Sequence, residues 1–463
     1  MKSEVKANLI LIKSGHIFLE TELDPLKFEF KGINTAKYFY DRWTTDDTLD
    51  SFDSSVMQSR KAHAFLARPL LVLSGFLRLL WFLATSRHKV VFFGAENRVT
   101  ETSRGVLDLY NHNIIRDLGP ENVLLLQERH DRISRKQYAP DLVLDDLAPF
   151  FFFLEKVLGW IHKNEINAFV AGLSSVTEKA GIPKQKTARY LLKFYVRYRF
   201  YKCFLKKIKP ASAILVCHYA RHAFVAACKH LGITNVELQH GHILPIHPHY
   251  NISRLGASMR GCFKQAFIPD AIAVYGDYWK QVLVDGMSFE EQQVINTGYF
   301  LTLGDPLPRD DRVTTLLLTS SPQVQQDVIA YIRSVKPQLG QKNMRIIIKP
   351  HPSEREGAYQ EVLDGDRIRV DHSPVHQLFS QAHIHISVLS STLFDALVYD
   401  VANYVLFVKR YSSFCQEFLD TKVAQRLDMG QLPDLEKKTP IDRKFFMDTY
   451  DFNRLRPFIE RHS

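Results

Sequence analysis

From Lys89 onward the chain repeats one pattern: a short run of aliphatic and β-branched residues, then a longer stretch with helical spacing. That alternation marks βαβ units and restricts the fold to parallel sheets with helices on both faces. The first series of apolar runs predicts strands over Val90–Phe93, Val123–Leu126, Ala213–Cys217, Asn235–Gln239 and Ala271–Tyr275, all in one sheet. The segment GYFLTLGDPLPRDDR, Gly298 to Arg312, is rich in Gly, Pro and charge and reads as a hinge. A second series predicts strands over Thr314–Leu318, Arg345–Lys349, Arg367–Val370, Ile384–Val388 and Tyr404–Phe407. A chain of 463 residues exceeds what one core ordinarily organises. The expected fold is therefore α/β, with two doubly wound, Rossmann-like parallel-sheet domains facing a cleft. Their expected limits are an N-terminal extension with an apolar helix over 1–86, a first domain over 87–300, a second over 301–440, and a helix over 441–463 packed across both. Within the extension, NLILIKSGHIF and LKFEF are candidates for a small antiparallel addition.

Hydrophobic residues make up 46% of the chain and charged residues 24%, the proportions of an ordinary globular protein. The cysteines, Cys203, Cys217, Cys228, Cys262 and Cys415, form no CxxC pair, which argues against a zinc site or a disulfide framework and fits a reducing cytoplasm. The amino terminus carries no apolar segment of secretory type, so export is not expected. The formal charge of +10 is concentrated in RYLLKFYVRYRFYKCFLKKIKP, Arg189 to Pro210, where aromatics interleave with Lys and Arg. Such a stretch either rests on an anionic membrane surface or packs through its aromatics and leaves its basic face solvated. No nucleic-acid-binding motif accompanies the charge, so nucleic acid is not an expected partner. A second apolar stretch, Leu66 to Ala84, approaches the length of a membrane span, but Arg68 and Arg78 oppose insertion, and a buried or membrane-resting helix is expected.

Two of the apolar runs end in groups with chemistry. Ile346 to Glu354, IIIKPHPSE, stops at a rigid turn that presents Lys349, His351 and Pro352. Ile384 to Leu389 ends in the hydroxyls of Ser390, Ser391 and Thr392. Parallel strands deliver such groups to the crevice at their carboxyl ends, where open α/β sheets bind ligands. Lys, His⁺ and a hydroxyl-rich turn opening a helix all donate to anionic oxygens, so the implied ligand is a nucleotide phosphate held by the tips of two neighbouring strands. The plainer reading is that the prolines end a strand and His351 packs in a loop.

In the first domain, VELQHGHILPIHPHY places His240, Gly241 and His242 after a strand, with His247 and His249 following. No standard zinc spacing occurs and no Asp, Glu or Cys lies in that stretch, so no metal is expected. A histidine at a strand end beside a glycine suits a general base or a phosphate donor, with His240 first and His242 second. Asp277 opens the following helix, either as its cap or as a catalytic carboxylate. In the loop Gly94 to Gly105, Glu96 or Glu101 is a candidate carboxylate for sugar transfer, against the alternative of a merely solvated loop.

Together these segments resemble bacterial GT-B glycosyltransferases of capsule and lipopolysaccharide biosynthesis, especially those using CMP-activated sialic acid or Kdo. The resemblance covers about Ala213 to Val408. It implies that His351 and Pro352 meet the donor's phosphate and nucleotide and that Ser390, Ser391 and Thr392 cap the same phosphate. The pair His240 and Gly241 also looks like the related polymerases that use CDP-alditols. CMP-sialic acid transferases carry an acidic pair before glycine where this chain has Gln239, His240 and Gly241. The implied activity is metal-independent, cofactor-free transfer of an acidic sugar from a CMP donor to a glycan or glycolipid acceptor, at the cytoplasmic face of the membrane. CDP-glycerol or ribitol phosphotransfer, nucleotide-sugar 2-epimerisation and a non-catalytic membrane-surface scaffold are the alternatives.

Overall fold

The computed structural model describes residues 25–49, 77, 79–81, 90–95, 99–103, 105–129, 137–179, 181–245, 247–351, 354–399, 401–434 and 441–460. The expected strand in NLILIKSGHIF, most of the apolar segment Leu66 to Ala84 with Arg68 and Arg78, and the candidates Glu96 and Pro352 lie outside these residues. The chain divides into two compact units, one drawn from Met1–Arg98, Tyr110–Phe300 and Tyr450–Ser463, the other from Val99–Leu109 and Leu301–Thr449. Among the described residues no helix is long and apolar enough to cross a membrane.

The first unit holds a seven-stranded parallel sheet. Its strands are β1 (Val90–Phe93), β2 (Val123–Gln127), β3 (Leu142–Val143), β4 (Ser212–Val216), β5 (Thr234–Leu238), β6 (Ala271–Val274) and β7 (Val294–Asn296). Their spatial order is β3-β2-β1-β4-β5-β6-β7. Runs such as VVFF and SAILV are buried on both faces, as strands covered by helices must be. The order reverses between β1 and β4, and that reversal opens a crevice at their carboxyl ends. At the end of β1 stands Gly94, where a β-carbon would lie 2.4 Å from the Asn111 side chain, so close packing requires glycine. The helices used below are α1 (Ala36–Leu49), α2 (Ala148–Ile161), α3 (Lys184–Ile208), α4 (His222–Leu231) and α5 (Asp277–Asp285). The basic stretch forms α3, and its aromatics Phe194, Tyr195, Tyr198, Tyr201 and Phe204 are buried. Phe30, Phe39 and Tyr38 from the N-terminal segment add to this aromatic packing. Glu29–Phe30, in the expected LKFEF strand, pairs antiparallel with Ile33–Asn34.

The second unit holds a six-stranded parallel sheet. Its strands are β8 (Thr314–Thr319), β9 (Met344–Lys349), β10 (Ile368–Val370), β11 (Ile384–Ser387), β12 (Ala402–Leu406) and β13 (Gln425–Leu427). The order β10-β9-β8-β11-β12-β13 is that of a Rossmann sheet, with its reversal between β8 and β11. An antiparallel hairpin, Val99–Thr102 with Gly105–Asp108, belongs to this unit although it arises from the loop after β1. The Ser103 amide donates to Asp305 and the Thr302 amide to the Leu109 carbonyl at 2.8 Å.

Both Rossmann-like domains expected of the α/β reading are present, and the predicted strands agree with the observed ones to within two residues. Three differences have physical causes. Strands β3, β7 and β13 went unpredicted because they are edge strands of two or three residues, too short to show a pattern. The carboxyl ends of β9 and β11 are not neighbours: β8 lies between them. Finally, the single helix expected over 441–463 is broken into Arg443–Phe446, Phe452–Arg454 and Arg456–Ile459. Asp442 and Asp451 each accept backbone N–H bonds that start a new turn, and Pro457 sits where a helix can only begin.

Candidate functional site

In the second unit the phosphate-binding candidates surround the switch point. The tips of β9 and β11 are two strand spacings apart, roughly 10 Å, so an anion touching both must sit over the end of β8. That end carries Thr319, Ser320 and Ser321, which the sequence reading did not single out. Beneath them runs a buried relay. Asn403 gives its amide to the Leu393 carbonyl at 2.7 Å, so its Oδ1 accepts from His385 Nδ1 at 3.0 Å. His385 Nε2 is then an acceptor for the Thr319 hydroxyl at 2.9 Å, and Thr319 accepts from the Thr392 hydroxyl at 3.0 Å. Burial pushes the His385 imidazole down to about 4, which keeps it in this neutral form.

The three hydroxyls of the turn therefore differ. Thr392 turns its hydroxyl inward, and its backbone N–H donates to Ser390 Oγ at 3.2 Å. Ser390 keeps its own hydroxyl proton for a further partner. Ser391 makes no side-chain bond among the described residues and is half-buried. The helix that follows is short, Thr392–Asp395 continued by Ala396–Val398, so its dipole adds little and the donors must be the hydroxyls and amides themselves. Lys349 is half-buried, which lowers its pKa against the opposing pull of Asp371, and one of its N–H groups goes to the His372 carbonyl at 2.9 Å. His351 is exposed at the turn after β9, and the Glu354 amide closes that turn on the His351 carbonyl at 2.9 Å.

In the first unit the ends of β4 and β5 carry a connected cluster of histidines. Glu237, fully buried within β5, accepts from His218 Nδ1 at 2.7 Å, from the His218 amide at 3.1 Å and from the Tyr250 hydroxyl at 2.7 Å. Burial pushes this carboxyl up, but the charges of His218 and His240 and the bonds from His218 and Tyr250 outweigh it and hold it below the usual range. His240 follows β5, half-buried, with Nε2 3.0 Å from the Tyr219 hydroxyl. Tyr219 stacks on His249 at 4.2 Å. Before it, Cys217 takes a left-handed φ of 65°, and this strained corner turns His218 back over Glu237.

A second buried carboxylate, Asp41 on α1, anchors the loop that carries these histidines. It accepts from Lys37 Nζ at 2.8 Å, His222 Nε2 at 2.5 Å and His249 Nδ1 at 2.7 Å. Burial opposes its ionisation, but Lys37 and the two imidazoles hold it well below the usual carboxylate range. Burial pushes His222 down to about 4.

The structure thus brings His240 together with His218, Glu237, Tyr219 and His249, and leaves the other first-unit candidates apart. His242 packs edge-on against the buried Trp279 at 5.5 Å. A β-carbon on Gly241 would meet nothing within 4 Å, so the space above that strand end is open. Asp277 is the first residue of α5 behind Gly276, exposed, and accepts from the Asn296 side chain at 2.9 Å. Among the described residues no group of histidine, cysteine or carboxylate side chains is arranged to hold a metal ion. Glu237 was missed because it is a strand-interior residue; the signal was a lone charge between Val236 and Leu238.

No protein-family model matches the chain, and no curated protein does. Among solved structures it is similar to the glycosyltransferase SnogD from Streptomyces nogalater, at 14% identity over 81% of this chain and 94% of that one, TM-score 0.43. It is also similar to the UDP-GlcNAc 2-epimerase from Methanocaldococcus jannaschii, at 11% identity over 80% and 97%, TM-score 0.44. A third is MurG of Acinetobacter baumannii, at 12% identity over 81% and 95%, TM-score 0.37.

Proposed function

We propose that the chain is a glycosyltransferase that moves a sugar from a CMP donor to an acceptor hydroxyl without a metal ion. The observation that carries this reading is the second-unit switch point, where Ser390, Ser391, Ser321, Lys349 and His351 gather donors at the ends of β11, β8 and β9. In the reaction the sugar's bond to the phosphate oxygen breaks with both electrons leaving on CMP, so negative charge grows where these donors stand. The new bond forms to the acceptor oxygen, whose proton goes to a base. His240 is the proposed base, because the buried charge of Glu237 favours the imidazolium that results. Glu96 or Glu101 remains the proposed carboxylate for the sugar, and Asp277 remains a further catalytic candidate. Transfer of an acidic sugar such as sialic acid or Kdo to a capsule or lipopolysaccharide glycan rests on the resemblance of the strand-end motifs.

The acceptor class fits a protein that works against a membrane surface. Helix α2, PFFFFLEKVLGWI after Ala148, leaves Phe152, Phe153 and Trp160 at 55%, 61% and 80% exposure with Lys156 between them. Such an aromatic face with lysine suits an anionic lipid interface.

A donor labelled at phosphorus tests the chemistry. Label released entirely as CMP supports glycosyl transfer, whereas label retained in the product identifies an alditol-phosphate transferase. Conversion of donor without any acceptor identifies an epimerase.

A further inference from the structure

The proposed base does not stand alone. Tyr219 sets its hydroxyl 3.0 Å from His240 Nε2, and one hydrogen lies between the two atoms. The phenol is the more acidic group and the imidazole nitrogen the stronger acceptor, so the phenol donates and neutral His240 carries its own hydrogen on Nδ1. The other group that reaches this phenol is the Cys217 thiol. Burial pushes that thiol up to about 12, so it stays protonated and competes poorly for the phenol's hydrogen. Burial, with Cys217, Glu237 and Asp41 nearby, likewise raises Tyr219 well above its ordinary 10.0, and it does not become a phenolate.

Both rings are held in this relation. The Tyr219 ring stacks on His249 at 4.2 Å with 16° between the planes, and Asp41 fixes His249 at 2.7 Å. The backbone of the proposed base is pinned as well: the Tyr110 hydroxyl donates to the His240 carbonyl at 2.6 Å, and the Tyr275 hydroxyl to the Gln239 carbonyl at 2.9 Å. An acceptor hydroxyl aimed at Nε2 would have to displace the phenol oxygen, and the stacked ring cannot give way without leaving His249. The phenol oxygen itself keeps a lone pair, on a side chain that is only half-buried.

Resting on the CMP reading and its base, we infer that Tyr219 is the group that meets the acceptor hydroxyl and relays its proton to His240. In one step the acceptor's O–H proton passes to the Tyr219 oxygen while the phenol's own proton passes to His240 Nε2. The acceptor oxygen forms its bond to the sugar carbon, and that carbon's bond to the phosphate oxygen breaks with both electrons leaving on CMP. Tyr219 ends as the neutral phenol it began as, and His240 as the imidazolium that the charge of Glu237 favours.

Two measurements on the full chain test the relay, with Tyr219→Phe as the variant that keeps the stacked ring and removes only the hydroxyl. Nitrogen NMR of histidine-labelled protein, with His240→Gln to assign the signal, is expected to find neutral His240 protonated at Nδ1 in the wild type. Protonation at Nε2 would overturn the inference without any assay of activity. CMP release from CMP-sialic acid and CMP-Kdo, with water or an added glycan as acceptor, is the second measurement. Tyr219→Phe is expected to lower kcat about 100-fold with donor KM unchanged. Wild-type kcat in mixtures of light and heavy water is expected to fall along the curve of two moving protons. A variant kcat within about twofold of wild type, a fall shared equally with donor binding, or a straight-line response to heavy water would each overturn the relay and leave the CMP reading standing. If the wild type releases CMP from neither donor, the CMP reading fails and takes the inference with it.

Discussion

Ser391 and Thr392 stand side by side in the β11 turn, yet the geometry assigns them opposite tasks. Thr392 gives its hydroxyl to the buried relay through Thr319 to His385, whereas Ser391 keeps its hydroxyl unengaged. Thr392→Val should cost about 1 kcal/mol of stability by thermal melting and change CMP affinity little. Ser391→Ala should leave the melting temperature in place and weaken CMP binding about fivefold to tenfold, measured by calorimetry. In the first unit Glu237→Gln removes the charge that favours protonated His240. Turnover should fall about 100-fold or more with donor KM nearly unchanged in steady-state assays. Equal losses in kcat and donor binding would instead mark Glu237 as structural. Residues at strand tips could be read from the sequence because a polar group that abruptly ends an apolar run has nowhere to go but the crevice. Glu237 and His385 could not, since each lies inside a strand and its role depends on which strand the sheet places beside it; Thr319 does end an apolar run, but its inward bond to His385 depends on β11 being its neighbour.

At the scale of elements, α1 is the part of the fold that periodicity alone conveyed least. It matters because Lys37 and Asp41, one turn apart and both buried, tie it to His222 on α4 and to His249. Asp41→Ala strands a buried ammonium and should cost about 3–5 kcal/mol, read as a lower denaturant midpoint. The strands, by contrast, announced themselves, because burial on both faces leaves uninterrupted apolar runs; the edge strands β3, β7 and β13 did not. The buried histidines set the pH response. Burial pushes His222, His376 and His385 down to about 4, below their ordinary 6.5. Between those values the unfolded chain binds more protons, so stability falls as pH drops below about 6.5, by up to ~1.4 kcal/mol per pH unit for each imidazole. The folded pKa values of Asp41 and Glu237 are also depressed, but by neighbouring charges and hydrogen bonds acting against burial, so the stability they contribute is lost as the pH falls through those lower values. Melting temperatures from pH 8 to pH 4.5 should therefore hold steady and then decline from about pH 6.5. A flat profile to pH 4.5 would contradict the buried neutral imidazoles.

For the whole molecule, two predictions concern where it works and what it holds. Vesicles containing anionic lipid should sediment the wild type, and Phe152→Ser with Trp160→Ser should weaken that binding about tenfold or more. Neutral vesicles should retain less protein, and binding that does not depend on those two aromatics would move the contact elsewhere. The direct test of the central claim is calorimetric titration of CMP into the wild type and into His351→Ala. The wild type is predicted to bind CMP, and the variant to lose roughly tenfold or more in affinity while keeping the same melting temperature. CMP binding that is unchanged in His351→Ala would contradict the claim that the strand ends of the second unit grip the leaving nucleotide's phosphate.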